Sequence, residues 1–280
     1  MAASRICVIT GANSGIGKIT AQELARKGFS IVMLCRDMEK GQAAQQEIQA
    51  INPTGTVDLI QCDVASIASV RAAANELTDR YDHVDVLINN AGLYIDQERY
   101  SPDGYELTFA TNHLGAFLLT NLLLDLLRSG EEARVITISS EAHRLAGTFR
   151  LDELARPTSY SGMKAYGKSK LCNILFANEL AHRLMGDGIT SNSVHPGAVN
   201  TNFGGEIGSI AGALFKLAKP FMRTPEQGAE TSIYLASSSA VTHVTGLYFA
   251  DCKPKMPAKD ALNNFYAKRL WDMSAEMVGL

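Results

Sequence analysis

The sequence predicts an α/β fold, a single domain over residues 1–280 built on a doubly wound parallel sheet of about seven strands with helices on both faces. Three observations predict it. Short apolar runs recur with helical segments between them, and strand followed by helix, repeated, implies a parallel sheet. Runs such as Val84-Asp85-Val86-Leu87-Ile88 are continuous rather than alternating, as expected of strands covered on both faces. The polar landmarks Thr10 to Gly17, Arg36, Asp63, Asn89, Ser140 and Pro196 each follow such a run, so they gather outside the carboxyl ends of the strands, where sheets of this kind bind ligands.

Taken in order, the first strand is Ile6 to Thr10, followed by Thr10-Gly11-Ala12-Asn13-Ser14-Gly15-Ile16-Gly17 and an amphipathic stretch through Gln22, Leu24 and Ala25. Further strands are expected at Ile31 to Cys35, Val57 to Cys62, Val84 to Asn89, Val135 to Ser139, Thr190 to His195 and Gly246 to Ala250. Right-handed crossovers join them. Two long helices are expected at Leu114 to Arg128 and at Met163 to Arg183, the second from its apolar spacing at Leu171, Ile174, Leu175 and Leu180.

Composition excludes several classes. A chain of 280 residues, 46% of them hydrophobic, can bury a full core. The formal net charge of −3 supplies no basic field for nucleic acid, and no Lys/Arg cluster interleaved with aromatics supplies one locally. Cys7, Cys35, Cys62, Cys172 and Cys252 are odd in number and contain no Cys-x-x-Cys pair, which argues against structural zinc or a disulfide framework and for a reducing, cytoplasmic setting. His113, His143 and His195 are not at metal-ligand spacing, so no metal is expected; His143 stands out only by its closeness to Ser140. With only Met1 to Ser4 ahead of the expected first strand, no signal sequence or anchor is expected, and no apolar run reaches the ~18 residues of a membrane span.

The glycine turn after the first strand suits a pyrophosphate. Glycine allows positive φ and lets a phosphate approach the helix N-terminus, where unpaired amides and the dipole favour negative charge. It is not a P-loop, because Ala12 replaces the first glycine and Ile19 the hydroxyl residue. At the other end, Tyr166 and Lys170 are four apart on one helix face. A phenol with a pKa near ~10 needs help to exchange protons at neutral pH, and a neighbouring ammonium favours the phenolate. Ser139 and Ser140 end a strand at the ligand edge, where a hydroxyl can bond a developing oxyanion.

Thr-Gly-x-x-x-Gly-x-Gly, then Asn89-Asn90-Ala91-Gly92, then Tyr-x-x-x-Lys resembles the short-chain dehydrogenase/reductase family, with its Rossmann-like fold, over almost the whole chain. The resemblance implies a catalytic set of Asn112, Ser140, Tyr166 and Lys170, in which Tyr166 donates the proton and Asn112 kinks a helix and holds a water behind the lysine. It implies dinucleotide contacts from Gly11, Asn13, Ser14, Gly15, Ile16, Gly17, Arg36, Asp63, Val64, Asn89, Ala91, Gly92, Tyr166, Lys170, Pro196, Gly197, Val199 and Thr201, with Asn90 and Ser139 structural. Where the family's NAD-preferring members end the second strand with an acid, this chain has Cys35 followed by Arg36 and Asp37. A guanidinium favours a 2′-phosphate and a carboxylate repels it, so NADP(H) is expected over NAD(H), with Asp37 keeping NAD(H) open.

Cys35-Arg36-Asp37, Asn112-His113-Leu114-Gly115, His195-Pro196-Gly197, the wide spacing of Ser140 from Tyr166 and the tail Arg269-Leu270-Trp271-Asp272 look like the retinol dehydrogenase group, acting on retinoids and other lipophilic aldehydes. A substrate lid is then expected at about residues 203–224 and a tail at about 254–280. The lid's apolar residues suit a hydrophobic pocket or peripheral contact with a membrane. Family members pair through the two long helices, which implies a homodimer here. Two other readings stay open: an NADP(H)-binding sensor without turnover, and an enzyme similar to the light-dependent protochlorophyllide reductase.

Overall fold

Every residue of β1 (Ile6–Thr10) is buried, as befits the strand at the centre of a sheet covered on both faces. The computed structural model describes residues 4–52, 54–197 and 223–280. Along the chain follow β2 (Ser30–Cys35), β3 (Val57–Gln61), β4 (Val86–Asn89), β5 (Arg134–Ile138), β6 (Thr190–His195), β7 (Tyr248–Ala250) and β8 (Lys253–Pro254). Their order across the sheet is β3-β2-β1-β4-β5-β6-β7-β8. β1 pairs in parallel with both β2 and β4, so the strand order reverses between β1 and β4 and a crevice opens at their carboxyl ends. The seven expected strands are present, with ends shifted by one or two residues. The eighth, antiparallel to β7, is a correction: a two-residue strand containing Pro254 has no periodicity to read.

The period of two in each strand divides the interior into two layers. Val8, Val32, Leu34, Leu87 and Val135 point into one, and Cys7, Ile9, Ile31, Met33, Ile88 and Ile136 into the other. Each such aliphatic side chain contributes roughly 1.5–3 kcal/mol on burial. The second layer is closed by α1 (Gly15–Arg26) and α2 (Met38–Gln49), the first by α3 (Ile67–Arg80), α4 (Gly115–Leu122) and α5 (Leu124–Arg128). Next come α6 (Gly162–Arg183) on the first layer, α7 (Pro225–Ser237) on the second and α8 (Asn264–Val278) back on the first. Helix starts carry the expected side chains. Ser66 caps α3, Asn263 caps α8, and Thr224 with Gln227 forms a capping box ahead of Pro225.

Two departures from the expected helices bear on the site. The segment read as one helix from Leu114 is preceded by a π-helical turn, Ala110–Leu114, and is broken at Leu123 between α4 and α5. The face of α4 and α6 through which family resemblance implies dimerisation is covered by the chain's own tail. Trp271 of α8 packs against Phe117 of α4 at 4.9 Å and Phe176 of α6 at 5.9 Å between ring centroids, and the Arg183 guanidinium lies over it at 4.3 Å. The tail therefore occupies part of the surface that those two helices present.

Gly115 shows how tightly α4 seats under the loop after β3. A Cβ at this position would overlap the Val64 carbonyl oxygen and approach Val64 Cβ at 2.9 Å. Gly115→Ala should therefore cost about 1–3 kcal/mol, the range of overpacking, despite alanine's better helix propensity. Denaturant unfolding tests this, and an alanine variant as stable as the parent would show that the two elements are free to part.

Candidate active site

The crevice between β1 and β4 is pinned by one hydroxyl. Thr10 Oγ1 accepts the backbone N–H groups of both Asn90 and Ala91 at 2.9 Å, while Asn90 Nδ2 donates to the Thr10 carbonyl at 2.8 Å and to that of Gly11 at 3.4 Å. Asn90 thus has the structural place read for it. Gly11 (φ 66°) and Gly15 (φ 53°) take the left-handed conformation that favours glycine. A Cβ at Gly17 would overlap the Gly11 carbonyl and the Asn90 amide, so only glycine lets α1 start this close to the loop. Ser14, at the helix N-cap, is exposed and makes no capping hydrogen bond, which leaves the first-turn amides of Gly15, Ile16 and Gly17 facing the crevice beside Asn13.

At the end of β2 the fold engages Asp37 and leaves Arg36 exposed. Asp37 is the N-cap of α2: it accepts the Lys40 backbone N–H at 3.1 Å, and Lys40 Nζ pairs with it at 2.8 Å. Those bonds hold its pKa low. Cys35 is buried, and desolvation pushes its thiol up to about 11 although the Ala12 and Asn13 amides work the other way. Arg36 is the exposed charge at this strand end. After β3, Asp63 Oδ1 accepts the Ala65 N–H at 3.0 Å in a tight turn, with Val64 beside it above Gly115.

Asn89, at the end of β4, is buried and donates to Thr120 Oγ1 at 2.9 Å, and its Oδ1 is buried without a hydrogen-bond partner among the described residues. Ala91 and Gly92 follow, and a Cβ on Gly92 would lie 3.1 Å from Asn112 Oδ1 and 3.4 Å from Lys170 Nζ. The glycine cradle and the open helix start together fit a dinucleotide.

At the reacting end, Ser139 is structural: its hydroxyl donates to the Lys170 carbonyl at 2.7 Å. Ser140 follows, half-buried, in hydrogen-bond contact with Tyr166 and accepting the Ala142 N–H at 3.2 Å. Lys170 is buried; its Nζ donates to the Ile138 carbonyl at 3.0 Å and lies 5.6 Å from the centre of the Tyr166 ring. Asn112 sits in the π-helical turn. Its Oδ1 accepts the Leu93 N–H at 2.7 Å, and its Nδ2 donates to the Leu93 carbonyl at 3.0 Å and to Ser169 Oγ at 2.9 Å. Asn112 therefore clamps the segment after β4 to α6.

Electrostatics here differ from the expectation that an ammonium beside Tyr166 sets its pKa. Burial pushes the Tyr166 phenol up to about 12, with Ser140 acting in the opposite direction, and burial carries Lys170 down to about 7. Desolvation moves both groups toward their neutral forms. The Pro196-Gly197 turn completes the edge. Gly197 has φ 91°, and a Cβ there would strike Arg223, which pairs with Asp251 at 2.5 Å. Val199, Thr201 and most of the expected lid, 203–222, lie outside the described residues.

Two neighbours of Tyr166 escaped the sequence reading. Tyr94 meets its ring edge-on at 5.9 Å, and Ser169 donates to the Tyr166 carbonyl at 2.8 Å. Ser169 was visible inside Tyr-Gly-Lys-Ser-Lys, one helical turn from the tyrosine. Tyr94, in an irregular loop, had no periodic signal. Among the described residues no group of three or more His, Cys, Asp or Glu is placed to hold a metal ion, and no helix is long and apolar enough to cross a membrane.

The depressed Lys170 value has a sign that unfolding can read. Between its folded value of about 7 and the ordinary 10.5, the unfolded chain binds more protons, so Lys170 makes stability rise with pH across that window. Urea midpoints measured from pH 7 to 9 should climb more steeply for the parent than for Lys170→Met. Parallel curves would mean that Lys170 keeps its charge in the fold.

The geometry agrees with the relatives. The sequence profile described as short chain dehydrogenase matches residues 5–210. The chain is 42% identical to human retinol dehydrogenase 14 (98% of this chain, 86% of that one) and 43% identical to human retinol dehydrogenase 13 (98% and 84%). Among solved structures, an uncharacterised protein from Mycobacterium paratuberculosis superposes with a TM-score of 0.78 at 34% identity (99% of this chain, 94% of that one). The RhlG/NADP active-site complex of Pseudomonas aeruginosa gives 0.69 at 26% (89% and 94%). The chain belongs to the short-chain dehydrogenase/reductase family, in its retinol dehydrogenase-like branch, and is an oxidoreductase acting on CH–OH and C=O groups.

Proposed function

We propose that this protein is an NADP(H)-dependent carbonyl reductase and alcohol dehydrogenase whose substrate is a lipophilic aldehyde or ketone, retinal-like polyenes included. The observation that carries the cofactor reading is the division of labour after β2. Asp37 is engaged as a helix cap and partner of Lys40, Cys35 is buried, and Arg36 is left to meet a 2′-phosphate. NADP in the RhlG complex, and the retinol dehydrogenase relatives, support the cofactor class and the apolar substrate class respectively.

In this reading Gly11, Asn13, Ser14, Gly15, Ile16 and Gly17 hold the pyrophosphate and Asp63 and Val64 flank the adenine. Asn89, Ala91 and Gly92 line the ribose side, and Tyr166, Lys170, Pro196, Gly197, Val199 and Thr201 hold the nicotinamide end. A bound nicotinamide supplies or accepts the hydride at the substrate carbon. The chain's own residues manage the oxygen and its proton. Ser140 donates to the carbonyl oxygen and orients it, and Tyr166 delivers the proton as the oxygen gains charge. Lys170 binds the ribose and, once protonated, favours the phenolate that Tyr166 becomes. Asn112 keeps the Leu93 backbone and α6 in register, so that the proton path behind Lys170 holds its shape. Oxidation of the alcohol runs the same steps in reverse. A sensor without turnover would have no use for a proton donor set against Ser140.

Tyr166→Phe should keep NADPH affinity within about twofold while lowering turnover roughly 10²-fold or more, the scale of general acid catalysis. Steady-state kinetics with a fluorescence titration of NADPH check both, and unchanged turnover would remove Tyr166 from its role. Arg36→Ala should weaken NADPH binding by about tenfold or more with NADH binding nearly untouched, as expected for the loss of one charge-assisted phosphate contact. Equal losses for the two cofactors would make Arg36 a structural residue.

A further inference from the structure

Between Ser140 and Tyr166 lies a long segment whose first turn, the 3-10 helix Glu141–Leu145, carries a buried histidine that the proposed reaction does not use. His143 Nδ1 stands 2.6 Å from the Ser140 carbonyl oxygen, and its Nε2 receives the backbone N–H of Ala258 at 2.9 Å. A carbonyl only accepts, and an amide N–H only donates. The two contacts are satisfied together by one form of the ring, neutral with its hydrogen on Nδ1. An imidazolium would aim a second N–H at the Ala258 N–H. Burial favours the neutral ring and lowers its pKa; around it stand the Ser140 carbonyl, Arg144, Glu141 and Lys255, with the Tyr248 ring edge-on at 5.2 Å.

What His143 reaches is the C-terminal strap. β7 turns at Asp251 (φ 53°) and Cys252 (φ 57°) into β8, and residues 253–258 cross back over the segment that begins at Ser140. Three further contacts follow the same route. Glu141 accepts the Tyr248 hydroxyl at 2.8 Å and pairs with Lys255 at 3.2 Å, and Arg144 donates to the Met256 carbonyl at 2.7 Å. On the other side the turn rests on α6 at Gly167, where a Cβ would lie 2.7 Å from the Ala142 carbonyl oxygen, one residue past Tyr166. The partly exposed ion pairs add little to such a seat. The buried imidazole is different, because its removal strands the Ala258 N–H and leaves the Ser140 carbonyl, which also accepts the His143 backbone N–H at 3.0 Å, without its shorter contact.

We propose that His143 is a positioning residue: through its Nδ1–H it fixes the Ser140 backbone to the strap at Ala258, and so sets the direction in which the Ser140 hydroxyl meets the substrate oxygen beside Tyr166. This rests on the reading of Ser140 as the hydroxyl that orients the carbonyl. It also gives β8 and the long Ser140–Tyr166 segment a purpose in the reaction.

The side chains of asparagine and glutamine separate the two contacts. Asparagine can place an N–H where Nδ1 stands and restore the Ser140 bond; glutamine can place an oxygen where Nε2 stands and restore only the Ala258 bond. With NADPH and an aldehyde that the parent reduces, His143→Ala and His143→Gln should lower kcat by about 10- to 100-fold, the cost of a misplaced reacting group, with KM and NADPH affinity within about twofold. His143→Asn should recover most of kcat. Asparagine no better than glutamine, or losses that follow only the folded fraction, would overturn the proposal. A measurement free of turnover stands beside it: ring ¹⁵N shifts of the full-length protein should show His143 as the neutral Nδ1–H tautomer at pH 7. The Nε2–H form or an imidazolium would overturn it as well. If the parent reduces no carbonyl while the tautomer is found as stated, the reductase reading fails and the His143 bridge stands as a structural lock.

Discussion

The parting of β1 from β4 is the constraint on which the site depends. Two neighbouring parallel strands whose helices leave to opposite faces must open at their carboxyl ends, and the opening has to be held at one width. Thr10 does this with a single hydroxyl accepting two amides from the β4 side, and Asn90 answers with its side-chain amide on the β1 side. Gly17 then brings the start of α1 against the same knot. The open helix amides and the Gly92 cradle take their positions from it. Rigid placement of this kind is what a family that transfers hydride needs, because the reacting atoms must be held with little motion to spare.

Burial sets the chemistry at the other end. Lys170 and Tyr166 are shifted in opposite directions by the same cause, each toward its neutral form. A phenol held neutral keeps its proton, and burial draws the lysine well below the ordinary ammonium range. The pair's partners are fixed rather than free: Ile138 holds the amine, Ser140 meets the phenol, and Asn112 with Ser169 holds the turn of α6 that carries both.

Much of this was legible in the chain. Continuous apolar runs mark most of the parallel strands, because strands buried on both faces favour apolar residues, whereas β6, Thr-Ser-Asn-Ser-Val-His, is buried with mostly small polar side chains. The glycine turn, Asn-Asn-Ala-Gly and Tyr-x-x-x-Lys converge in space as their positions after strands imply. What stayed hidden lies in details that residue patterns do not carry. Arg36 and Asp37 stand side by side with opposite signs, and only the cap geometry shows that Asp37 is engaged by Lys40 in the first turn of α2. The π-helical turn at Asn112 leaves the apolar pattern of a helix almost intact. β8 is too short to carry a period. Trp271, which reads as a motif in the tail, in the fold packs against Phe117 of α4 and Phe176 of α6, a contact that no local pattern announces.

We propose that the crevice, Arg36 and the Ser140–Tyr166–Lys170 cluster together make an NADP(H)-dependent carbonyl enzyme with an apolar substrate. Oxidation of NADPH and of NADH by the purified protein, followed across a series of aliphatic, aromatic and polyene aldehydes and ketones, decides this. Turnover with NADPH should rise as the carbonyl compound becomes more lipophilic, and turnover with NADH should be far slower. Tight NADPH binding with no turnover on any carbonyl, or equal rates with the two cofactors, would contradict the proposal.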